Sequence, residues 1–197
     1  MLLVLQISYF LANYHLFKKD ICGKIGKIKL SLTQIIYMNI LIRDANREDM
    51  PAVLKLIKEL AIFEKEPDAV EVTVEDLQRD GFKEHPEFHC FVALVDNVIH
   101  GIALVYKRYS TWKGSVLHLE DLMVSEKMRG NNIGGLLLDQ VVKYGDKLGA
   151  KRICWDVLDW NESAIAFYKK KGAKVMRDWD IVQMDENAIK RYLSHIN

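Results

Sequence analysis

Apolar positions fall into short runs whose spacing changes along the chain, and from residue 40 onward those changes predict alternating strands and helices. Ile40–Arg43 reads as a strand. Asn46 is a helix N-cap, and Val53, Leu54, Ile57, Leu60 and Ala61 recur at helical spacing behind Glu48 and Asp49. Thr73 caps a second helix, with Asp76 three residues on and an end near Gly81, before His85-Pro86 breaks the chain. Phe88–Val95, the turn Asp96-Asn97 and Val98–Tyr109 predict a hairpin, and Ser110–Gly114 turns into another strand, Ser115–Val124. A helix follows over Gly134–Leu148, stopped by Gly149. The remainder reads as a strand over Lys151–Leu158, a helix over Glu162–Lys171 closed by Gly172, one or two strands within Ala173–Met184, and a helix over Glu186–His195. This order predicts a mixed α/β (α+β) sheet with helices packed on it, in one domain spanning 38–197.

The first 37 residues differ in kind. Met1–Phe17 is apolar and aromatic, and the five lysines and one aspartate that follow give the segment a net +4 of the overall +1, leaving −3 on the rest. The lysines follow the apolar run where a signal peptide carries them before it, and Gln6, Asn13 and His15 interrupt a run already short for a membrane span. Residues 1–37 are therefore expected to be an upstream extension, from a mis-set start or disordered, with Met38 opening the domain. Near-neutral charge gives no electrostatic case for nucleic acid or membrane binding. Cys22, Cys90 and Cys154 are widely spaced and odd in number, which argues against a disulfide framework and for reduced thiols in a cytoplasmic protein. No metal site is expected from the scattered histidines.

Two segments carry candidate chemistry. In Leu117–Val124 the neighbours Glu120 and Asp121 sit inside an otherwise apolar run, and an unpaired buried charge costs several kcal/mol. Adjacent strand residues point to opposite faces, so a bulge or a cleft opening at mid-strand is needed to accommodate both acids. Directly after this strand comes Arg129-Gly-Asn-Asn-Ile-Gly134-Gly135, a loop of small residues that opens a helix. Unpaired N–H groups at a helix start and the helix dipole make such a loop an anion cradle suited to a pyrophosphate. Its glycine spacing fits neither the dinucleotide fingerprint nor a P-loop. Further on, Asn161 and Tyr168 lie two helical turns apart on one face.

The strand, Arg-Gly-X-X-Ile-Gly, the helix, Trp160-Asn161 and Phe167-Tyr168-Lys169 with Gly172 resemble the GCN5-related N-acetyltransferase superfamily. Leu56–Glu64, Asp80-Gly-Phe82, Glu84-His-Pro86, His89-Cys90 and Leu119-Glu-Asp121 narrow the resemblance to the diamine (spermidine/spermine) acetyltransferases, across Ile40 to Tyr192. Tyr109–Gly114 and Val157–Asn161 are similar to the thialysine Nε-acetyltransferase branch, and Ser110 stands where the polyamine-using branch carries Asp.

The resemblance implies a mostly antiparallel sheet splayed at its centre and acetyl transfer from acetyl-CoA to a small primary amine by direct attack, without a metal. The substrate would be a thialysine- or lysine-like amino acid, or a diamine. It implies a pyrophosphate on Arg129, Gly130, Asn131, Asn132, Ile133, Gly134 and Gly135, and pantetheine along Leu122, Met123 and Val124. Asn161 would hold the cofactor arm, Tyr168 would act as general acid and Glu120 as base through water. Phe63, Glu64, Trp112, Glu120 and Asp121 would line the amine site, and the enzyme would be a homodimer. At Asn132 the family loop usually carries Gly. Acetylation of protein lysines or N-termini, and CoA binding without turnover, are the alternatives.

Overall fold

Strand β1 (Ile40–Asp44) runs into a capping box that launches the first helix. The side chain of Asn46 accepts from the Asp49 N–H at 3.0 Å, and the Asp49 carboxylate accepts from the Asn46 N–H at 2.8 Å. Arg43 grips the same carboxylate with both guanidinium nitrogens, at 2.6 and 3.0 Å. Pro51 then sits in the first turn of α1 (Met50–Phe63), where its missing N–H has no intrahelical partner to lose. A second capping box, between Thr73 and Asp76, opens α2 (Val74–Gly81). This is a computed structural model, and it describes residues 38–196. The expectations for residues 1–37 lie outside the described residues.

The chain divides after Trp155 into two units. The first contains a five-stranded sheet of order β1-β2-β3-β4-β5, with β2 (His89–Val95), β3 (Val98–Ser110), β4 (Gly114–Val124) and β5 (Ile153–Cys154). The first three pairings are antiparallel, and β4 pairs with β5 in parallel only at Leu117–Ile153 and His118–Cys154. The strand expected over Lys151–Leu158 is thus reduced to two residues. Beyond His118, β4 runs on to Val124 with no strand on its β5 side among the described residues of this unit, so the mostly antiparallel sheet is open there.

Alternation along the strands distributes the sheet between two helical layers. Met50, Val53 and Leu56 of α1 and Leu77 of α2 pack with Cys90, Val92, Leu94, Ile102 and Met123 on one face. On the other lies α3 (Ile133–Lys147), with Ile133, Leu137 and Val141 fully buried. Gly101 permits the close approach of α3: a methyl there would stand 3.0 Å from Leu137, 3.1 Å from the Met123 carbonyl and 3.2 Å from Ile133.

In the second unit, α4 (Glu162–Lys170) and α5 (Glu186–Ile196) form as expected. Residues 173–184, expected to hold one or two strands, form none. A strand needs a ladder partner, and among the described residues none pairs with this segment.

The Arg43 guanidinium lowers the pKa of the Asp49 carboxyl, with burial opposing and the Asn46 N–H assisting. A depressed folded-state pKa contributes stability above the unfolded value that is lost as pH falls through the folded one. Asp49→Asn is expected to cost about 2–3 kcal/mol at pH 7 by urea unfolding, with the deficit shrinking below pH ~4.

Candidate active site

The two acids of β4 share a face because the strand carries one surplus residue. Leu104 pairs with Asp121 and Val105 with Leu119, leaving Glu120 unopposed in a β-bulge. Before the bulge, Leu117 points toward α3, where it nears Gly145, and His118 points to the opposite face. After it, Met123 lies in the α1 cluster, so Asp121, two residues earlier, shares that side. His118, Glu120, Asp121 and Met123 therefore line one face. The bulge that the adjacent carboxylates called for is present.

Proximity and partial burial set the charges. Desolvation, then repulsion from Glu120 and Glu64, pushes the Asp121 carboxyl up to about 6. Desolvation also raises Glu64, which caps the C-terminus of α1. Glu120 is the exposed member, and its Oε2 lies 3.5 Å from Nε2 of the buried His118. Glu120 also acts on Tyr106, whose phenol is raised mainly by burial and then by the Glu120 charge. Three carboxylates thus converge on one sheet face, a field that attracts an ammonium ion.

The loop after β4 is pinned at its start. The Ser125 N–H donates to the His100 carbonyl at 2.8 Å, and the Glu126 N–H donates to the Glu59 carboxylate at 2.8 Å. Gly130 (φ 82°) and Asn132 (φ 60°) both take left-handed conformations, which Gly adopts freely and Asn better than most residues. Among the described residues, no hydrogen bond engages the backbone N–H groups of residues 130 to 135. Free amides at the start of a 15-residue helix suit a polyanion such as a pyrophosphate. The Asn132 side chain folds back over the helix start, its Oδ1 2.3 Å from where a Cβ on Gly135 would sit.

Other residues fall elsewhere. The Arg129 guanidinium covers the Phe63 ring at 4.9 Å and donates to the Val124 carbonyl at 3.2 Å, so the cation on that ring is one of the chain's own. Trp112 is 79% exposed at the β3–β4 tip, six strand residues or ~20 Å beyond the level of Asp121. In the second unit, the Asn161 side-chain oxygen caps α4, accepting from the Ala164 N–H at 3.2 Å and the Ser163 hydroxyl at 3.1 Å. Tyr168, two turns along, is buried, and burial pushes its phenol up to about 12. Sequence reasoning missed His118 and Tyr106; the signal for His118 was its place two residues before Glu120 on an alternating strand.

The sequence profile of the acetyltransferase (GNAT) family matches residues 50–173. The chain belongs to that family. It is 35% identical over 162 residues to the thialysine N-epsilon-acetyltransferase of Bos taurus, covering 77% of this chain and 95% of that one. To the human spermidine/spermine N(1)-acetyltransferase-like protein 1 it is 37% identical, over 67% of this chain and 20% of that one. The aminoglycoside N-acetyltransferase AAC(6')-Iy in complex with CoA shares the fold, with a TM-score of 0.61 at 18% identity, over 75% of this chain and 95% of that one. This GNAT protein is an acetyltransferase, and enzymes of its fold use acetyl-CoA. Among the described residues, no group of His, Cys, Asp or Glu could hold a metal, and no helix is long and apolar enough to cross a membrane.

A raised folded-state carboxyl pKa contributes stability that is fully present below the unfolded value near 4 and lost as pH rises through the folded value near 6. Asp121→Asn is therefore expected to stabilise the GNAT fold at pH 8, by at most ~3 kcal/mol, and to be neutral below pH ~4 in denaturant unfolding.

Proposed function

We propose that the enzyme transfers acetyl from acetyl-CoA to a primary amine of a small cationic substrate, with thialysine or a lysine-like amino acid ahead of short diamines. The observation that carries this reading is the convergence of Glu120, Asp121 and Glu64 on one face beside an open strand edge. The relative from Bos taurus, named for thialysine, supports the order of substrates.

An amine reaches the site as an ammonium ion with a pKa near ~10, and only its neutral form attacks a thioester. Asp121 and Glu64 draw the cation in; its charge in turn favours ionised Asp121. Glu120, exposed and held by two neighbours, takes the ammonium proton through a water molecule. The residues present fit acetyl-CoA: the amides of 130–135 suit its pyrophosphate, and the backbone of Leu122, Met123 and Val124 suits its pantetheine amides.

The products are the acetylated amine and CoA thiol: as the C–S bond breaks, the nitrogen that has attacked sheds its surplus proton, which ends on the departing sulfur. Tyr168 stays neutral throughout the physiological range. Its pKa of about 12 lies above that of a thiol, near ~8.5, so it stabilises the leaving sulfur more readily by a hydrogen bond than by full proton transfer.

The free thiols Cys90 and Cys154 suit a reducing cytosol. The exposed apolar run of Met176, Trp179, Ile181, Val182 and Met184 supports a homodimer, and sedimentation is expected to return twice the 22.8 kDa chain mass.

The function is tested by CoA release from acetyl-CoA with thialysine, lysine, putrescine and spermidine. Thialysine should give the highest kcat/KM; no release with any of the four overturns the reading. Glu120→Gln should lower kcat ~10²-fold or more. Tyr168→Phe should lower kcat while leaving CoA affinity unchanged, and unaltered turnover would remove Tyr168 from the chemistry.

A further inference from the structure

Beneath the bulge lies a buried histidine that the acetyl-transfer scheme does not use. His118 is 6% exposed, so solvent cannot satisfy both of its ring nitrogens. On one side Nδ1 faces Cys154 Sγ at 3.6 Å, and on the other Nε2 faces Glu120 Oε2 at 3.5 Å. The ring packs against Tyr106 at 5.0 Å between centroids, and the phenol of Tyr106 feels the Glu120 charge. A single imidazole therefore links the short strand β5 to the carboxylate at the bulge.

We propose that His118 is a positioning residue for Glu120: its Nε2–H holds one carboxylate oxygen, Tyr106 steadies the same group, and the remaining lone pairs are left to face the amine. This rests on the reading of Glu120 as the base. The thiol of Cys154 can donate to Nδ1, which leaves the ring proton on Nε2, directed at Glu120. A carboxylate unopposed in a bulge has no cross-strand neighbour to fix its rotamer, and these two side chains supply that constraint. The contact at 3.5 Å is long for a hydrogen bond, as catalytic contacts often are before substrate binds.

Other charged groups near Glu120 and its partners are Asp121 on β4, Glu64 at the end of α1, and Arg108 on β3 acting on Tyr106. Among these like charges the Nε2–H of His118 gives one Glu120 oxygen a fixed partner and leaves the other to face the amine.

The test compares wild type with His118→Leu, His118→Gln and His118→Asn. Gln carries an amide near the position of Nε2, whereas Asn is too short to reach Glu120. His118→Leu and His118→Asn should lower kcat ~10-fold and leave the acetyl-CoA KM unchanged. His118→Gln should recover most of the loss. Carbon-13 carboxyl NMR reads the link without turnover: the Glu120 carboxyl signal should move in the Leu and Asn variants and return toward the wild-type position in the Gln variant. An unmoved Glu120 carboxyl signal in either folded variant, or equal losses for Gln and Asn, overturns the role of His118. If Glu120→Gln keeps wild-type turnover, the base reading fails instead, and the catalytic role of His118 falls with it even when the NMR link holds.

Discussion

One surplus residue on β4, opposite Leu104 and Val105, sets the geometry on which the chemistry depends. In an unbulged strand Glu120 and Asp121 would face opposite layers, one of them into the packing of α3. The bulge turns both toward α1 and keeps Met123 within the α1 cluster, so the apolar pattern beyond it is preserved. Repulsion follows directly, since carboxylates forced onto one face cannot all ionise at the usual pH. Asp121, the more buried of the pair, takes the largest upward shift, while exposed Glu120 is steadied by His118 and Tyr106. The fold thus holds an unfavourable charge arrangement that only a cation relieves.

The anion cradle depends on a second irregularity. Leu94 pairs with Ile99 and Ala93 with Gly101, which leaves His100 as the extra residue on β3. Its carbonyl receives the Ser125 N–H and so fixes where β4 gives way to the loop. Gly101, next in sequence, lets Ile133 and Leu137 press against the sheet, which sets the start of α3. Between these anchors the chain turns through left-handed Gly130 and Asn132 and presents its amides outward. The acidic face and the donor-rich loop both follow from β4: Glu120 and Asp121 lie on the strand, and the amides of residues 130–135 lie beyond its end.

Much of this was legible in the sequence, for stated reasons. Asn46, Thr73 and the Asp96-Asn97 turn are local signals whose geometry depends on few neighbours, and they form where expected. The acid pair in an apolar strand implied a bulge or a cleft opening at mid-strand, because neighbours on a regular strand face opposite ways, and a bulge is what forms. Residues 151–158 and 173–184 read as strands from β-type composition, yet a ladder depends on partners that composition does not encode. The covering of Phe63 by Arg129 was hidden because it joins segments more than sixty residues apart. His118 passed unnoticed because its signal, a place two residues before Glu120 on an alternating strand, gains meaning only once Glu120 has a role.

The central claim is that the bulge couples two carboxylates on one face. Carbon-13 carboxyl NMR of Asp121 in the ligand-free wild-type protein tests it most directly. The account predicts titration near 6 in wild type and a lower value in Glu120→Gln, where the repelling charge is gone. Titration near ~4 in both proteins would mean that Asp121 is solvated and uncoupled, and would contradict the account.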